Sequence, residues 1–278
     1  MKKIELAKQF LQQALTVLQC PNCQAEMVAI NGNSLTCQNG HSFDLAKNGT
    51  LYFLPKQMKS EYTKAMLVHR RAFLEAGFFQ PFLTEIAQQI TPDSRVLDVG
   101  CGEGTPINQL QAQVPAQYIG FDISKPAIQL ASDYLTAGWF CVADLARMPF
   151  ADQSLDTVLN IFSPSQYQEF KRVLKPGGQL IKIIPNAGYL HELRELLYQG
   201  QAKENYDHSP VLHLFEQHFT TFETKQIQQK MPLTATTLQD LLAMTPLTWS
   251  ATPEQLAAIT LTELPEISLD VTILVGKQ

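Results

Sequence analysis

Three cysteines and one histidine, Cys20, Cys23, Cys37 and His41, fall in one short stretch with the spacing C-x2-C-x13-C-x3-H. That spacing is the one of a closed tetrahedral zinc site with three thiolates and one imidazole. The constraint on folding is direct. A segment of about 50 residues buries too little apolar surface to offset its chain entropy, so a metal must supply the missing stability. Four protein ligands leave no open coordination position, and the expected zinc is therefore structural. Asn31-Gly32-Asn33 reads as a turn between two short strands, and Asn39-Gly40 as the shape of the second knuckle. Reduced, unliganded thiols are the competing reading. A disulfide pair fits less well, because no secretory signal accompanies it and the fourth ligand is left unexplained.

Around this module the chain of 278 residues has room for one large domain. Its hydrophobic content of 45% and charged content of 17% are those of an ordinary globular protein. No apolar run approaches a membrane span. Ahead of the quartet, Leu6, Phe10, Leu11, Ala14, Leu15 and Leu18 share one helical face. Glu5, Lys8, Gln12 and Gln13 interrupt what would otherwise resemble a signal-peptide core, so the expected location is the cytoplasm. The expected organisation is a leading helix over 1–18, a zinc-binding domain over 19–55, a basic helical linker over 56–80 and a catalytic domain over 81–278. Residues 1–80 hold nine Lys/Arg against five Asp/Glu, and residues 81–278 hold twelve against twenty-one. A basic front on an acidic body suits a nucleic-acid reader joined to a catalytic domain. Lys56, Lys59, Lys64, Arg70 and Arg71 are its candidate phosphate contacts, although a solvated helix face would look the same.

From Arg95 onward strand and helix alternate. Expected strands are Arg95–Val99, Tyr118–Phe121, Trp139–Ala143, Leu155–Phe162, Leu180–Ile184 and Asp270–Val275. This order implies an α/β fold with a parallel sheet covered on both faces. The first strand runs into Gly100-Cys101-Gly102-Glu103-Gly104, and Thr105-Pro106 opens a helix. Glycines at such a turn let the backbone approach a ligand closely. Asp122, after the second strand, stands where an acidic side chain takes ribose hydroxyls, and Asp144, after the third, is placed to accept from an adenine amino group. Cys101 reads as a small packing residue. His208, His213 and His218 share no helical face and do not read as a second metal site.

The turn Asp98-x-Gly100-x-Gly102-x-Gly104 lacks the final spacing of the dinucleotide fingerprint. With Arg147-Met148-Pro149-Phe150 and Lys175-Pro176-Gly177-Gly178 it closely resembles class I S-adenosylmethionine methyltransferases. That resemblance implies a Rossmann-like sheet and a cofactor set of Asp98, Gly100, Gly102, Glu103, Gly104, Asp122, Asp144 and Asn160. The stretches His41–Pro55, Arg70–Gly77, Val173–Gly178 and Leu241–Trp249 narrow it further. They resemble the ribosomal RNA large-subunit methyltransferase A family, whose members methylate N1 of a guanine in a hairpin of 23S rRNA. The likeness covers nearly the whole chain beyond residue 19. It implies that Cys20, Cys23, Cys37 and His41 hold zinc and that the zinc module helps to clasp an RNA hairpin. Partners implied are that hairpin and no membrane, with a homodimer left open. Two branches of the family modify nearby guanines, and the sequence does not choose between them.

The chemistry expected of such an enzyme is alignment of a methyl group with N1, loss of the N1 proton, and release of the base from pairing. No catalytic base is identified by sequence. Asn160-Ile161-Phe162-Ser163-Pro164-Ser165 ends the fourth strand near the expected substrate; Phe162 is a candidate stacking residue or ordinary core. The alternative function is a small-molecule methyltransferase of quinone or sterol type with a merely structural zinc ribbon. The zinc module and the basic linker alone separate the two readings. A third, an RNA adaptor without catalysis, is disfavoured by the intact cofactor set.

Overall fold

The computed structural model describes residues 1–56, 58, 61–201 and 207–278. Lys59 of the expected basic stretch lies outside them. The leading segment forms α1 (Lys3–Ala14), then a short turn to Val17. Its face of Ala7, Leu11 and Ala14 is buried, with Val17 and Leu18 completing the stripe. The zinc segment follows as a three-stranded antiparallel sheet of β1 (Met27–Asn31), β2 (Ser34–Cys37) and β3 (Ser42–Asp44). Asn31 pairs with Ser34, so Gly32-Asn33 form the tight turn, with Gly32 at φ +62°.

The ribbon does not end free. Its exit, β4 (Leu51–Tyr52), becomes a parallel edge strand of the large sheet, with Leu51 opposite Cys141 and Tyr52 opposite Val142. Trp139 Nε1 donates to the Gly49 carbonyl at 3.1 Å. Gly49 sits at φ +80°, and a side chain there would meet Lys3 O at 2.8 Å and the Ala7 Cβ at 2.9 Å. The ribbon, α1 and the sheet edge are thus packed as one piece.

Helices α2 (Lys64–Glu75) and α3 (Gln80–Gln89) lead into the body. There β5 (Arg95–Val99), α4 (Thr105–Gln111), β6 (Gln117–Asp122), α5 (Lys125–Ala131), β7 (Trp139–Val142), β8 (Leu155–Ile161) and α6 (Tyr167–Val173) alternate as the sequence pattern requires. They are followed by β9 (Leu174–Pro185), α7 (His191–Tyr198), α8 (Ser209–His218), β10 (Phe222–Pro232), α9 (Ala235–Met244), α10 (Pro253–Ala258) and β11 (Glu266–Lys277). The order across the sheet is β10-β11-β9-β8-β5-β6-β7-β4. Alternate residues of one strand feed two cores. Phe140 and Val142 face one side and Trp139 and Cys141 the other.

The sheet is mixed, not wholly parallel as the alternation implied. β11 runs antiparallel to β9, and β10 antiparallel to β11. β10 has no apolar run because it is an edge strand exposed along most of its length. Lys225 and Lys230 on it discourage pairing with another chain. A Leu11→Ala change, at a position with no exposure, is expected to lower unfolding stability by about 2–5 kcal/mol in urea titration. A loss under about 0.5 kcal/mol would show instead that the helix is a detachable leader.

Candidate active site and metal centre

The four ligand atoms of Cys20, Cys23, Cys37 and His41 lie within 4.8 Å of one another. Cys23 Sγ is 3.8 Å from Cys37 Sγ, and His41 Nδ1 is 3.6 Å from Cys20 Sγ and 3.5 Å from Cys37 Sγ. Zinc bonds of about 2.3 Å to sulfur and about 2.0 Å to nitrogen, at tetrahedral angles, give edges of about 3.8 and 3.5 Å. The quartet therefore fits zinc through His41 Nδ1. Two knuckles shape it. Cys20 N–H donates to Ala25 O at 2.8 Å and Gly40 N–H to Cys37 O at 2.9 Å, with Gln24 and Gly40 at positive φ. Burial pushes the Cys20 thiol up to about 11, whereas the backbone N–H of Ala25 draws Cys23 down to about 6. Zinc binds thiolates, so its entry displaces the Cys20 proton. The first knuckle is also tied to the body, because Arg147 donates to Asn22 O at 3.2 Å.

The glycine turn lies at the carboxyl ends of β5 and β6, the customary ligand crevice of such sheets. Gly100, Gly102 and Gly104 have φ of +71°, +58° and +85°. A side chain at Gly102 would meet the Arg70 guanidinium at 3.2 Å, and one at Gly100 the Ser163 Cβ at 2.8 Å. Asp122 accepts from Gly102 N–H at 3.1 Å and Ser124 N–H at 2.7 Å, which fixes its carboxylate against the turn. Asp144 is exposed and accepts from Ala146 N–H at 2.9 Å with one oxygen.

Arg70 and Arg71 turn inward, away from the phosphate-contacting role considered from sequence. Arg70 pairs with the fully buried Glu103 and stands over the Phe79 ring at 5.7 Å. Arg71 donates to Glu103 O at 3.2 Å and Leu130 O at 2.7 Å, and pairs with Asp133 at 2.9 Å. The basicity of this stretch marked the residues but not their target, because their acidic partners lie some tens of residues downstream. Burial pushes Asp98 up to about 7, with Glu103 and Asp122 adding to the effect and Arg70 opposing it. Asp98 Oδ2 and Glu103 Oε1 are buried with no hydrogen-bond partner among the described residues. Two orphaned acceptors beside a glycine cradle suit a ligand bearing positive charge and N–H donors.

Asn160, expected among the cofactor contacts, has its side-chain amide engaged inside the protein. It is fully buried, and its Nδ2 donates to Ser163 Oγ at 2.6 Å and Pro164 O at 2.9 Å. Its Oδ1 accepts from Lys182 and, at 3.4 Å, from Ser165. All four bonds of the amide are used inside the protein. Ser163 Oγ in turn donates to Val99 O at 2.5 Å, which fastens the loop after β8 to the strand before the glycine turn. Lys182, 3% exposed and drawn down to about 8 by burial, supports this network from β9. Phe162 sits above it in the left-handed region at φ +53°, a conformation costing a bulky residue about 1–2 kcal/mol. Its half-buried ring lies 5.0 Å from Tyr189 and 5.5 Å from Phe79. Cys101 is buried and its thiol pushed well up by burial, while His218 stacks on Tyr167 at 4.3 Å.

Residues 96–178 match the family described as "Methyltransferase domain" and residues 18–61 the one described as "RlmA, N-terminal", a zinc ribbon. A Bacillus subtilis protein named as a putative 23S rRNA (guanine-N(1)-)-methyltransferase is 37% identical over 94% of this chain and 97% of its own. This chain belongs to that methyltransferase family. The Streptomyces fradiae member named 23S rRNA (guanine(748)-N(1))-methyltransferase is 29% identical over 93% of this chain and 95% of its own. A solved phosphoethanolamine N-methyltransferase from Haemonchus contortus shares the fold at TM-score 0.52 and 14% identity, over 79% of this chain and 59% of its own. S-adenosylmethionine is the cofactor of the methyltransferase domain, and its α-ammonium and sulfonium suit the two unpartnered carboxylate oxygens of Asp98 and Glu103. Among the described residues no helix is long and apolar enough to cross a membrane.

Two outcomes follow from this geometry. Cys37→Ser is expected to lose one equivalent of zinc by atomic absorption and to lower the melting temperature, whereas zinc retained at full stoichiometry would exclude Cys37 as a ligand. Asp98 has its folded pKa raised, so its contribution to stability is present at low pH and is lost as pH rises through about 7. A cationic ligand favours the ionised form. Affinity for S-adenosylmethionine should therefore tighten as pH rises through about 7, with proton release in calorimetry. The dependence should be flat in Asp98→Asn.

Proposed function

We propose that this protein transfers the methyl group of S-adenosylmethionine to N1 of a guanine in a hairpin loop of 23S ribosomal RNA, acting in the cytoplasm. The supporting observation is the joining of a three-cysteine, one-histidine ribbon to the same sheet that bears the glycine turn, through the pairing of Leu51–Tyr52 with Cys141–Val142. A ribbon fastened to this sheet edge is the feature that separates this reading from a small-molecule methyltransferase. The working parts are a leading helix (1–18), the ribbon (19–55), the linker helix region (56–80) and the catalytic body (81–278).

In this reading Asp98, Gly100, Gly102, Glu103 and Gly104 cradle the methionine end, with Arg70 as its carboxylate partner. Asp122 takes the ribose and Asp144 the adenine. Asn160 acts at one remove, by fixing the loop of Phe162 and Ser163 against Val99. Once bound, the cofactor supplies a methyl group activated by a positive sulfur, and the protein's task is chiefly alignment. The aromatic wall of Phe79, Phe162 and Tyr189 excludes water around Arg70 and strengthens its electrostatics. Guanine N1 lies on the pairing edge, so the base must leave its pair to reach this wall.

Incubation with labelled S-adenosylmethionine and undermethylated 23S rRNA should place label in RNA. Reverse transcription should then stop at one hairpin guanine, because N1-methylguanine cannot pair. Label appearing in small molecules and none in RNA would refute the assignment.

A further inference from the structure

Trp249 and Tyr62 are large rings left 44% and 41% exposed, with centroids 5.5 Å apart and planes inclined at 69°. Their exposure is built. Trp249 closes a short turn over Pro246–Thr248 whose hydrogen bonds leave it little freedom. Thr245 Oγ1 accepts from Leu247 N–H at 3.3 Å, and Thr248 Oγ1 donates to Thr245 O at 2.8 Å. Trp249 N–H donates to Pro246 O at 3.2 Å, and Ala251 N–H to Thr248 O at 3.0 Å. From α7, Tyr198 OH donates to Leu247 O at 2.5 Å and lies 2.9 Å from Ser250 Oγ.

The pair is joined to the methyl-transfer crevice through α2. Tyr62 precedes Thr63, the N-cap of α2, and α2 brings Arg70 onto Glu103. Partial burial pushes the Tyr62 phenol up, with Arg70 opposing and Asp122 reinforcing the effect. His69 on the same helix reaches Asp240 on α9 at 2.7 Å, which joins the segments supporting the two rings.

We propose that the exposed face of Trp249, buttressed edge-to-face by Tyr62, is a stacking platform for an unpaired base of the RNA substrate next to the methylated guanine. The inference rests on the RNA-methyltransferase reading above. Bringing a guanine N1 into the crevice unstacks its neighbour, and exposed aromatic faces on a rigid support are the usual acceptor of such a base. The site is sequence-tolerant, since every base has a π-face.

The chain has two tryptophans, and Trp139 is 1% exposed, so solvent-accessible indole emission reports Trp249. An unmodified 23S rRNA transcript should quench that emission in the wild-type protein and leave Trp249→Phe unquenched. Trp249→Ala should raise the KM for the transcript roughly ten-fold or more, with Trp249→Phe recovering part of the loss. Calorimetric affinity for S-adenosylmethionine should stay within about two-fold and the melting temperature should be similar in both variants. Absence of quenching, or an unchanged transcript KM in Trp249→Ala, overturns the platform even if methylation proceeds. Quenching without methylation would support the platform while sinking the methyltransferase reading.

Discussion

Arg70 stands among Asp98, Glu103 and Asp122 at the ends of two parallel strands, and the arrangement of the crevice follows from that charge balance. Three carboxylates brought together out of water repel one another. The guanidinium makes the cluster tolerable without completing it, since Asp98 is still pushed up and two acceptor atoms remain orphaned. The partial compensation leaves room for a positively charged ligand. It also explains why α2 lies across the glycine turn. A helix from the linker is held there by Arg70, by Arg71 on two backbone carbonyls, and by His69 on α9.

The parts of the protein written in local spacing were legible from sequence. The zinc quartet, the turn at Gly32-Asn33 and the three glycines depend on residues a few positions apart, and the structure brings each set together. The apolar strands were legible for the same reason. What was not legible depends on distant partners. Nothing near Asn160 announced that Lys182 would occupy its carbonyl, or near Arg70 that Glu103 would receive it. β10 was hidden because an edge strand with one wet side needs no apolar run. Trp249 was visible as part of a family-like stretch, but its exposure and its meeting with Tyr62 required the fold.

The loop after β8 and the glycine turn are held in register. Asn160 bonds Ser163, and Ser163 bonds the carbonyl of Val99, the last residue before the glycine turn. Two short hydrogen bonds therefore tie the loop after β8 to the strand that leads into the glycine turn. Such a connection favours a crevice preorganised for alignment, the contribution that methyl transfer asks of a protein.

The strand at Leu51–Tyr52 sets an order of events during synthesis. It lies in the first quarter of the chain, yet its hydrogen-bonding partner at Cys141–Val142 is made much later. The ribbon leaves the ribosome with its edge unpaired and before the apolar partners on the body have been made. The zinc site is already complete at that moment, because all four ligands, like the three strands of the ribbon, precede Leu51. The metal thus serves as a temporary substitute for the sheet, holding the ribbon until the body of the enzyme arrives to receive it.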